Sequence, residues 1–369
     1  MTCKSASDPI NPQEVWLLLD SLTFGGIETH VLELARGIAF YKVPLRVILL
    51  TRFNEPSAII AKLEKHNISY GYLHTLLDDK NHHSLVKQTL QLRKAIVQFN
   101  PIAVHAHGYK ASIVSKLAVK TTTEQTKQIS TYHAGEVPKG KVRLYDWLDR
   151  YSSLLSDQSL CVSPEIQARL PVKSLFLNNF VSTEGSKQSE GKQIAFVGRL
   201  SVEKGPDRFL DLAEQHPDES FYLYGDGPLR EGLQDRKVTN AEFLGFQKNM
   251  SQCWENIGLL VISSRYEGLP MTALEAMARG IPVLTLNIGA LERLIDHGHN
   301  GWIADSTEEL ALLLDEWLNS TESERETLAE NAKETIESEF STEAVVPQIL
   351  PLYSKHLVLS SFASRSVDE

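Results

Sequence analysis

The chain has 369 residues, 42% hydrophobic and 23% charged, an ordinary globular mixture that sets aside collagen-like, low-complexity and wholly disordered classes. Its net charge of −10 is unevenly shared: residues 1–180 hold 21 Lys+Arg against 15 Asp+Glu, and residues 181–369 hold 16 against 32. A split of +6 against −16 points to two modules with different electrostatic tasks, and the acidic half argues against a protein that wraps nucleic acid.

Short aliphatic runs alternate with helical periods from the start. Strands are expected at Val15–Leu19, Leu45–Leu50, Ile102–His105, Gln128–Thr131, Ser159–Cys161 and Leu175–Leu177, and helices at Glu28–Ala39, Ser84–Gln98 and Lys110–Val119. Such alternation builds βαβ units on a parallel sheet, giving a first domain over residues 1–180. The polar Gly/Ser-rich stretch 181–192 is the linker candidate. The pattern then restarts, with strands at Ile194–Val197, Ser220–Tyr224, Ala241–Leu244, Leu259–Ile262 and Pro282–Leu284 and helices at Gly205–Gln215, Met271–Arg279 and Glu308–Asn319, for a second doubly wound domain over 193–345. The acidic run Glu322–Glu339 is spaced as a solvated helix face, and residues 346–369 are expected to return toward the first domain and fray at the end.

The opening residues carry no apolar h-region, and Val15–Leu19 is too short for a signal or a membrane span before Asp20 interrupts it. Cys3, Cys161 and Cys253 form no CxxC pair and suit a reducing compartment, so a cytoplasmic protein is expected. In two parallel-sheet domains the loops after the strands face a ligand cleft, and there the chemistry should lie.

Gly25-Gly26 separates the first strand from a helix and would let backbone approach an anion; GxGxxG is absent, and a tight turn explains the pair as well. Phe196-Val197-Gly198-Arg199 through Glu203-Lys204-Gly205 sets two cations around one loop, where Arg199 and Lys204 could cradle a diphosphate, or Arg199 could be solvated and Lys204 paired with Glu203 or Asp207. Gly225-Asp226-Gly227-Pro228 is a glycine turn able to receive a base or ribose. Arg265 through Ala278 places Glu267 on a loop and Glu275 in the following helix, suited to sugar hydroxyls, with the N–H groups at Gly268–Met271 facing a phosphate, while a Glu275 that only caps or ion-pairs is the structural alternative. The two carboxylates stand too far apart for a glycosidase pair. His105 and His107 share a strand face without a carboxylate nearby, so no metal site is expected, and His133 follows its strand at the ligand end. No Asp-x-Asp occurs to grip a metal–diphosphate.

Together these segments resemble a retaining glycosyltransferase of family 4, with the GT-B fold of two Rossmann-like domains facing a cleft. The resemblance rests on Gly25-Gly26-Ile27-Glu28-Thr29-His30-Val31, His105-Ala106-His107, His133, Val197-Gly198-Arg199-Leu200, Glu203-Lys204-Gly205, Gly225-Asp226-Gly227-Pro228, Phe243-Leu244-Gly245, the Glu267-to-Glu275 spacing and Asp296-His297-Gly298-His299-Asn300-Gly301. It implies a nucleotide-sugar donor, UDP-sugar by the habit of the family, held on the second domain: Arg199 and Lys204 on the diphosphate, Glu275 on the ribose, Glu267 with Gly268 and Leu269 on the sugar. Gly26 would approach the phosphates and His133 the reactive carbon; neither metal nor cofactor is implied. One departure is Asn287-Ile288-Gly289-Ala290-Leu291-Glu292, where relatives often carry Gly-Gly, so Ile288 could reshape the donor pocket.

The implied activity is transfer of a hexose or N-acetylhexosamine to a glycan or lipid-linked acceptor in surface polysaccharide or lipopolysaccharide assembly. The +6 half suits an anionic inner-membrane surface or a phosphorylated acceptor, and solvated lysines would explain it equally. The competing readings are a sugar-nucleotide epimerase or hydrolase on the same fold, and a non-catalytic nucleotide-sugar-binding partner.

Overall fold

The computed structural model describes residues 9–23, 25–133 and 141–354. It divides into two compact units: residues up to Asn178 together with those from Thr342, and Asn179–Ser341.

The first unit runs β1 (Val15–Leu19), α1 (Gly26–Phe40), β2 (Leu45–Leu49), α2 (Ile60–Lys65), β3 (Tyr70–Tyr72), α3 (Leu73–Leu76), α4 (Leu85–Phe99), β4 (Ala103–His107), α5 (Tyr109–Lys120), β5 (Lys127–Tyr132), α6 (Lys141–Tyr151), β6 (Gln158–Cys161), α7 (Pro164–Arg169) and β7 (Leu175–Phe176). Its sheet has the order β3-β2-β1-β4-β5-β6-β7, every pair parallel. Strand β1 is buried at all five residues, as a central parallel strand covered on both faces requires. Trp16 and Leu18 of β1 share a core with Ile48, Val104 and the inner faces of α4 and α5.

The second unit runs β8 (Gln193–Val197), α8 (Pro206–Gln215), β9 (Phe221–Tyr224), α9 (Arg230–Gln234), β10 (Ala241–Gly245), α10 (Met250–Cys253), β11 (Ile257–Ile262), α11 (Met271–Met277), β12 (Val283–Leu286), β13 (Gly301–Ala304), α12 (Thr307–Asn319) and α13 (Glu322–Thr335). The sheet order is β10-β9-β8-β11-β12-β13, again all parallel. Residues of β11 alternate between two cores: Ile257, Leu260 and Ile262 face one, Leu259 and Val261 the other. The acidic run forms α13, whose Leu328, Ala329 and Ala332 turn inward while most of its carboxylates stay exposed.

The stretch 181–192, expected as a linker, lies within the second unit. Val181 bridges to Ser341, Ser189 Oγ donates to the Ile257 carbonyl at 2.7 Å, and a Cβ at Gly191 would collide with the Asn256 backbone. The final helix α14 (Thr342–Tyr353) belongs to the first unit, where Thr342 and Val346 press on Gly37 of α1 so closely that a Cβ there would not fit. Residues beyond Ser354 lie outside the described range. Strands β3 and β13 and helices α2, α3, α6, α7, α10 and α14 were not anticipated; all but α6 and α14 are at most six residues long, too short for a periodic signal.

Candidate active site

Both sheets reverse direction of growth at their centre, between β1 and β4 and between β8 and β11. In open parallel sheets, ligands bind beyond the strand ends at this switch point. Loops leaving those strands carry most of the residues singled out in sequence.

In the second unit β8 ends at Val197 and delivers Gly198 and exposed Arg199; Lys204 follows in a 3₁₀ turn, Val202–Lys204. Strand β11 ends at Ile262 and leads to Ser263, Ser264 and Glu267. The two loops meet side by side. Lys204 Nζ donates to Glu267 Oε1 at 2.6 Å and Oε2 at 2.8 Å, and Ser264 Oγ donates to Oε1 at 2.7 Å. Glu267 is nearly buried, at 8% side-chain exposure, whereas Lys204 keeps 33% and so retains access to a ligand. Arg199 enters no ion pair found among the described residues. Neither Glu203 nor Asp207 holds Lys204: Glu203 accepts from Ser201 Oγ, and Asp207 takes the fork of Arg265 at 2.8 and 2.5 Å, which holds its carboxyl below the usual range.

The glycines have a structural reason of their own. Gly225 has φ +141°, and a Cβ there would strike the Gly198 carbonyl; one at Gly227 would strike Leu200. Leu200 N–H donates to the Asp226 carbonyl at 3.0 Å, so the two glycines let the β9 loop lie against the β8 loop. Gly268 is open around its Cβ direction, and its carbonyl accepts from Ala290 N–H at 3.0 Å. The Leu269 carbonyl accepts from buried Asn179 Nδ2 at 2.7 Å. Glu275 is half-buried on α11, and its backbone carbonyl accepts from Arg279 at 2.6 Å. Ile288 packs into both cores of the unit, while Gly289, at φ +60°, leaves no space for a Cβ beside Glu267.

In the first unit Gly25 caps α1, its N–H donating to Glu28 Oε2 at 2.8 Å, and Gly26 is open where a Cβ would stand. Asp20, just past β1, is paired with Lys110 of α5 at 2.7 Å, an anchor for the strand end that periodicity alone did not suggest. His107 ends β4 and His133 follows β5; their Nδ1 and Nε2 lie 3.1 Å apart, and the ring of His30 from α1 meets His133 edge-on at 4.6 Å. Burial, reinforced by neighbouring imidazoles, holds His107 and His133 well below the ordinary histidine range. Both rings are therefore neutral at physiological pH, one nitrogen donating and the other accepting. His105 is tied away from them, Nδ1 to Tyr353 Oη at 2.8 Å and Nε2 to Thr131 Oγ1 at 2.6 Å, and burial pushes its pKa down to about 3. Among the described residues, His30, His107 and His133 are the one group whose donor atoms, all within 4.8 Å of one another, converge closely enough for a metal ion; the sequence reading considered His105 and His107 and missed His30, which comes from another element. A pocket beside His133 is lined by Ile27, Tyr109, Asp146, Arg150 and Arg169.

Comparison with known proteins fits this geometry. The family model "Glycosyltransferase Family 4" matches residues 24–171 and "Glycosyl transferases group 1" matches residues 180–335. An uncharacterized glycosyltransferase, MJ1178 of Methanocaldococcus jannaschii, is 31% identical over 56% of this chain and 62% of its own length. The spore coat protein SA of Bacillus subtilis is 31% identical over 45% of this chain and 50% of its own, so the chain spans about half to three fifths of these curated relatives. The O-antigen biosynthesis glycosyltransferase WbnH of Escherichia coli is 29% identical over 64% of this chain and 73% of its own. Among solved structures, Anabaena Alr3699/HepE in complex with UDP superposes with a TM-score of 0.78 at 19% identity, covering 93% of this chain and 100% of that one. Two matched family models, each on one Rossmann-like sheet, and this likeness in fold place the chain in glycosyltransferase family 4, the group 1 glycosyl transferases, with the GT-B fold.

Proposed function

We propose that the chain is a retaining, metal-independent glycosyltransferase that moves a hexose or N-acetylhexosamine from a nucleotide-sugar, UDP-sugar favoured, to a glycan or lipid-linked acceptor in surface polysaccharide or lipopolysaccharide assembly. The observation that carries the reading is Lys204 lying across Glu267, backed by Ser264, at the switch point of the second sheet. In this reading Lys204 and Arg199 meet the donor diphosphate and offset the charge that grows on it as the bond to the sugar breaks. Glu267 then accepts from sugar hydroxyls with the backbone of Gly268 and Leu269 alongside, and Glu275 from the ribose. The acceptor oxygen bonds to the anomeric carbon on the face the diphosphate leaves, and its proton passes to the departing phosphate oxygen.

On the first unit, His133 would offer a neutral hydrogen-bonding ring to the transferred sugar, with Gly25 and Gly26 admitting the phosphates to backbone. WbnH is named for O-antigen biosynthesis, and HepE has been solved with UDP and with UDP-glucose, which favours this class of donor and product. The test is incubation of the full chain with UDP-, GDP- and ADP-sugars and a glycan or lipid-linked acceptor, with and without EDTA, reading anomeric configuration by NMR. An acceptor-linked product with the donor's configuration is expected, undiminished by EDTA. An inverted product, or nucleotide release or epimerised donor independent of acceptor, overturns the reading.

A further inference from the structure

Three imidazoles meet at the ligand end of the first sheet. His107 is the last residue of β4, His133 follows the neighbouring strand β5, and His30 sits one turn into α1. One nitrogen from each lies within 4.8 Å of the others. The backbones that carry them are pinned: β4 and β5 are paired as far as His107 and Thr131, and the Gly25–Glu28 capping box sets where α1 begins. His105 stays out of the group because Tyr353 and Thr131 take both of its nitrogens. Neither nitrogen of His107 is committed outside the cluster: Nδ1 faces His133 Nε2 at 3.1 Å, and Nε2 is buried with no hydrogen-bond partner among the described residues. A buried polar atom left in that state calls for a partner of another kind.

We infer that His30, His107 and His133 form a binding site for one divalent transition-metal ion of the zinc class, and that an ion held there withdraws His133 from the transferred sugar. The distances suit it. With Zn–N bonds of about 2.0–2.1 Å, two nitrogens on one tetrahedral zinc stand about 3.3–3.4 Å apart, so the His107–His133 pair needs to open by only about 0.2–0.3 Å. His30 completes the set by turning about χ2, a broad torsion in histidine. All three donors are nitrogen, which suits zinc, cobalt, nickel or copper and not magnesium or calcium, whose shells are oxygen. Three protein ligands with a fourth position for an outside group is the pattern of an accessible zinc, not a closed structural one. That position has an approach, because His133 also lines the pocket with Ile27 and Tyr109. The second nitrogen of His107 lacks the outer partner that tightens a permanent site, so the ion should exchange. Such an ion is a brake on the transferase and no part of its chemistry, since a ring nitrogen bound to metal neither accepts from nor donates to a sugar hydroxyl. The brake rests on the proposed role of His133, whereas binding is measured without donor or acceptor, so the two fail separately.

The experiment titrates Zn²⁺ into the full chain, dialysed against EDTA and then freed of it, in competition with a chromophoric chelator, and uses Co²⁺ as a visible probe of geometry. One ion per chain is expected, with the intense bands of tetrahedral Co²⁺, displaced by Zn²⁺ and not by excess Mg²⁺. His30→Gln removes a ligand and should lower Zn²⁺ affinity by more than the about 10- to 100-fold that loss of an outer partner costs. Circular dichroism checks its fold, and His107→Asn takes its place if it does not fold. No binding in competition with the chelator, a weak octahedral Co²⁺ spectrum, or affinity unchanged in the folded variant overturns the site; the first two are read on the parent chain and need no substitution. With nucleotide-sugar and acceptor present, saturating Zn²⁺ should lower turnover at least about tenfold, with EDTA restoring it. Binding that leaves turnover unchanged overturns the brake. A chain that binds the ion as expected yet transfers no sugar in EDTA counts against the proposed transferase alone.

Discussion

Two Lys–carboxylate pairs of nearly equal length do opposite things in this molecule. Lys116–Asp149, 2.7 Å in the first unit, has side chains 0% and 4% exposed, and every hydrogen of the ammonium is engaged by Tyr132, Ser152 or Asp149. Lys204–Glu267, 2.6 Å in the second, leaves the lysine a third exposed at the end of the central strands. Length does not separate a structural pair from one that can receive a ligand; solvent access and uncommitted donor capacity do. Burial pulls the pKa of Lys116 down and that of Asp149 up, each drawn back by the other, so neither tolerates loss of its partner.

Breaking each pair should therefore fail differently. Asp149→Ala leaves a buried ammonium uncompensated and should cost about 3–5 kcal/mol, visible as a collapse of melting temperature. Lys204→Ala leaves the nearly buried Glu267 with Ser264 as its side-chain donor, so it should cost about 1–3 kcal/mol, less than Asp149→Ala, and lower turnover about 10²- to 10³-fold. Unchanged donor binding and turnover in that variant would remove Lys204 from the site.

The contrast sharpens with protons. Histidines 105, 107 and 133 are held below their unfolded value near 6.5, so the unfolded chain binds protons the native one does not as pH falls. Stability from these rings is intact above about pH 6.5 and should fall below it by about 1.4 kcal/mol per ring per pH unit, for His105 down to about pH 3. Denaturant melts at pH 7.5 and 5.5 should differ accordingly, and His105→Asn should shrink the difference. Smallest is Glu275→Ala, expected to weaken nucleotide-sugar binding about tenfold with the fold intact; a fall in melting temperature without loss of affinity would make its role structural.

Much of the fold was legible in the chain because parallel strands and amphipathic helices write their period locally. Strands β1, β2, β4, β5 and β8 to β12 and helices α1, α4, α5, α8 and α12 fall where hydrophobic spacing puts them. The candidate loops were legible too, because glycines and charged residues between a strand and a helix stand out against apolar runs.

Pairing was not. Lys204 and Glu267 are 63 residues apart, so Asp207 and Glu203 were as good partners on paper until the sheet order brought β8 beside β11. His30 joins His107 and His133 only once α1 packs by β4 and β5. In α6 the side that faces inward is set by Asp149 meeting a buried lysine on a neighbouring helix, which no local pattern records. The sequence by itself determined most of the longer elements, the parallel character of both sheets and the residue types available at the loops, since these are written in local periodicity and in the alternation of strand and helix. The tertiary structure decided which cation meets which carboxylate, which imidazoles share protons and which side of α6 faces water, because each of these is a contact between segments that only the closed sheets bring together.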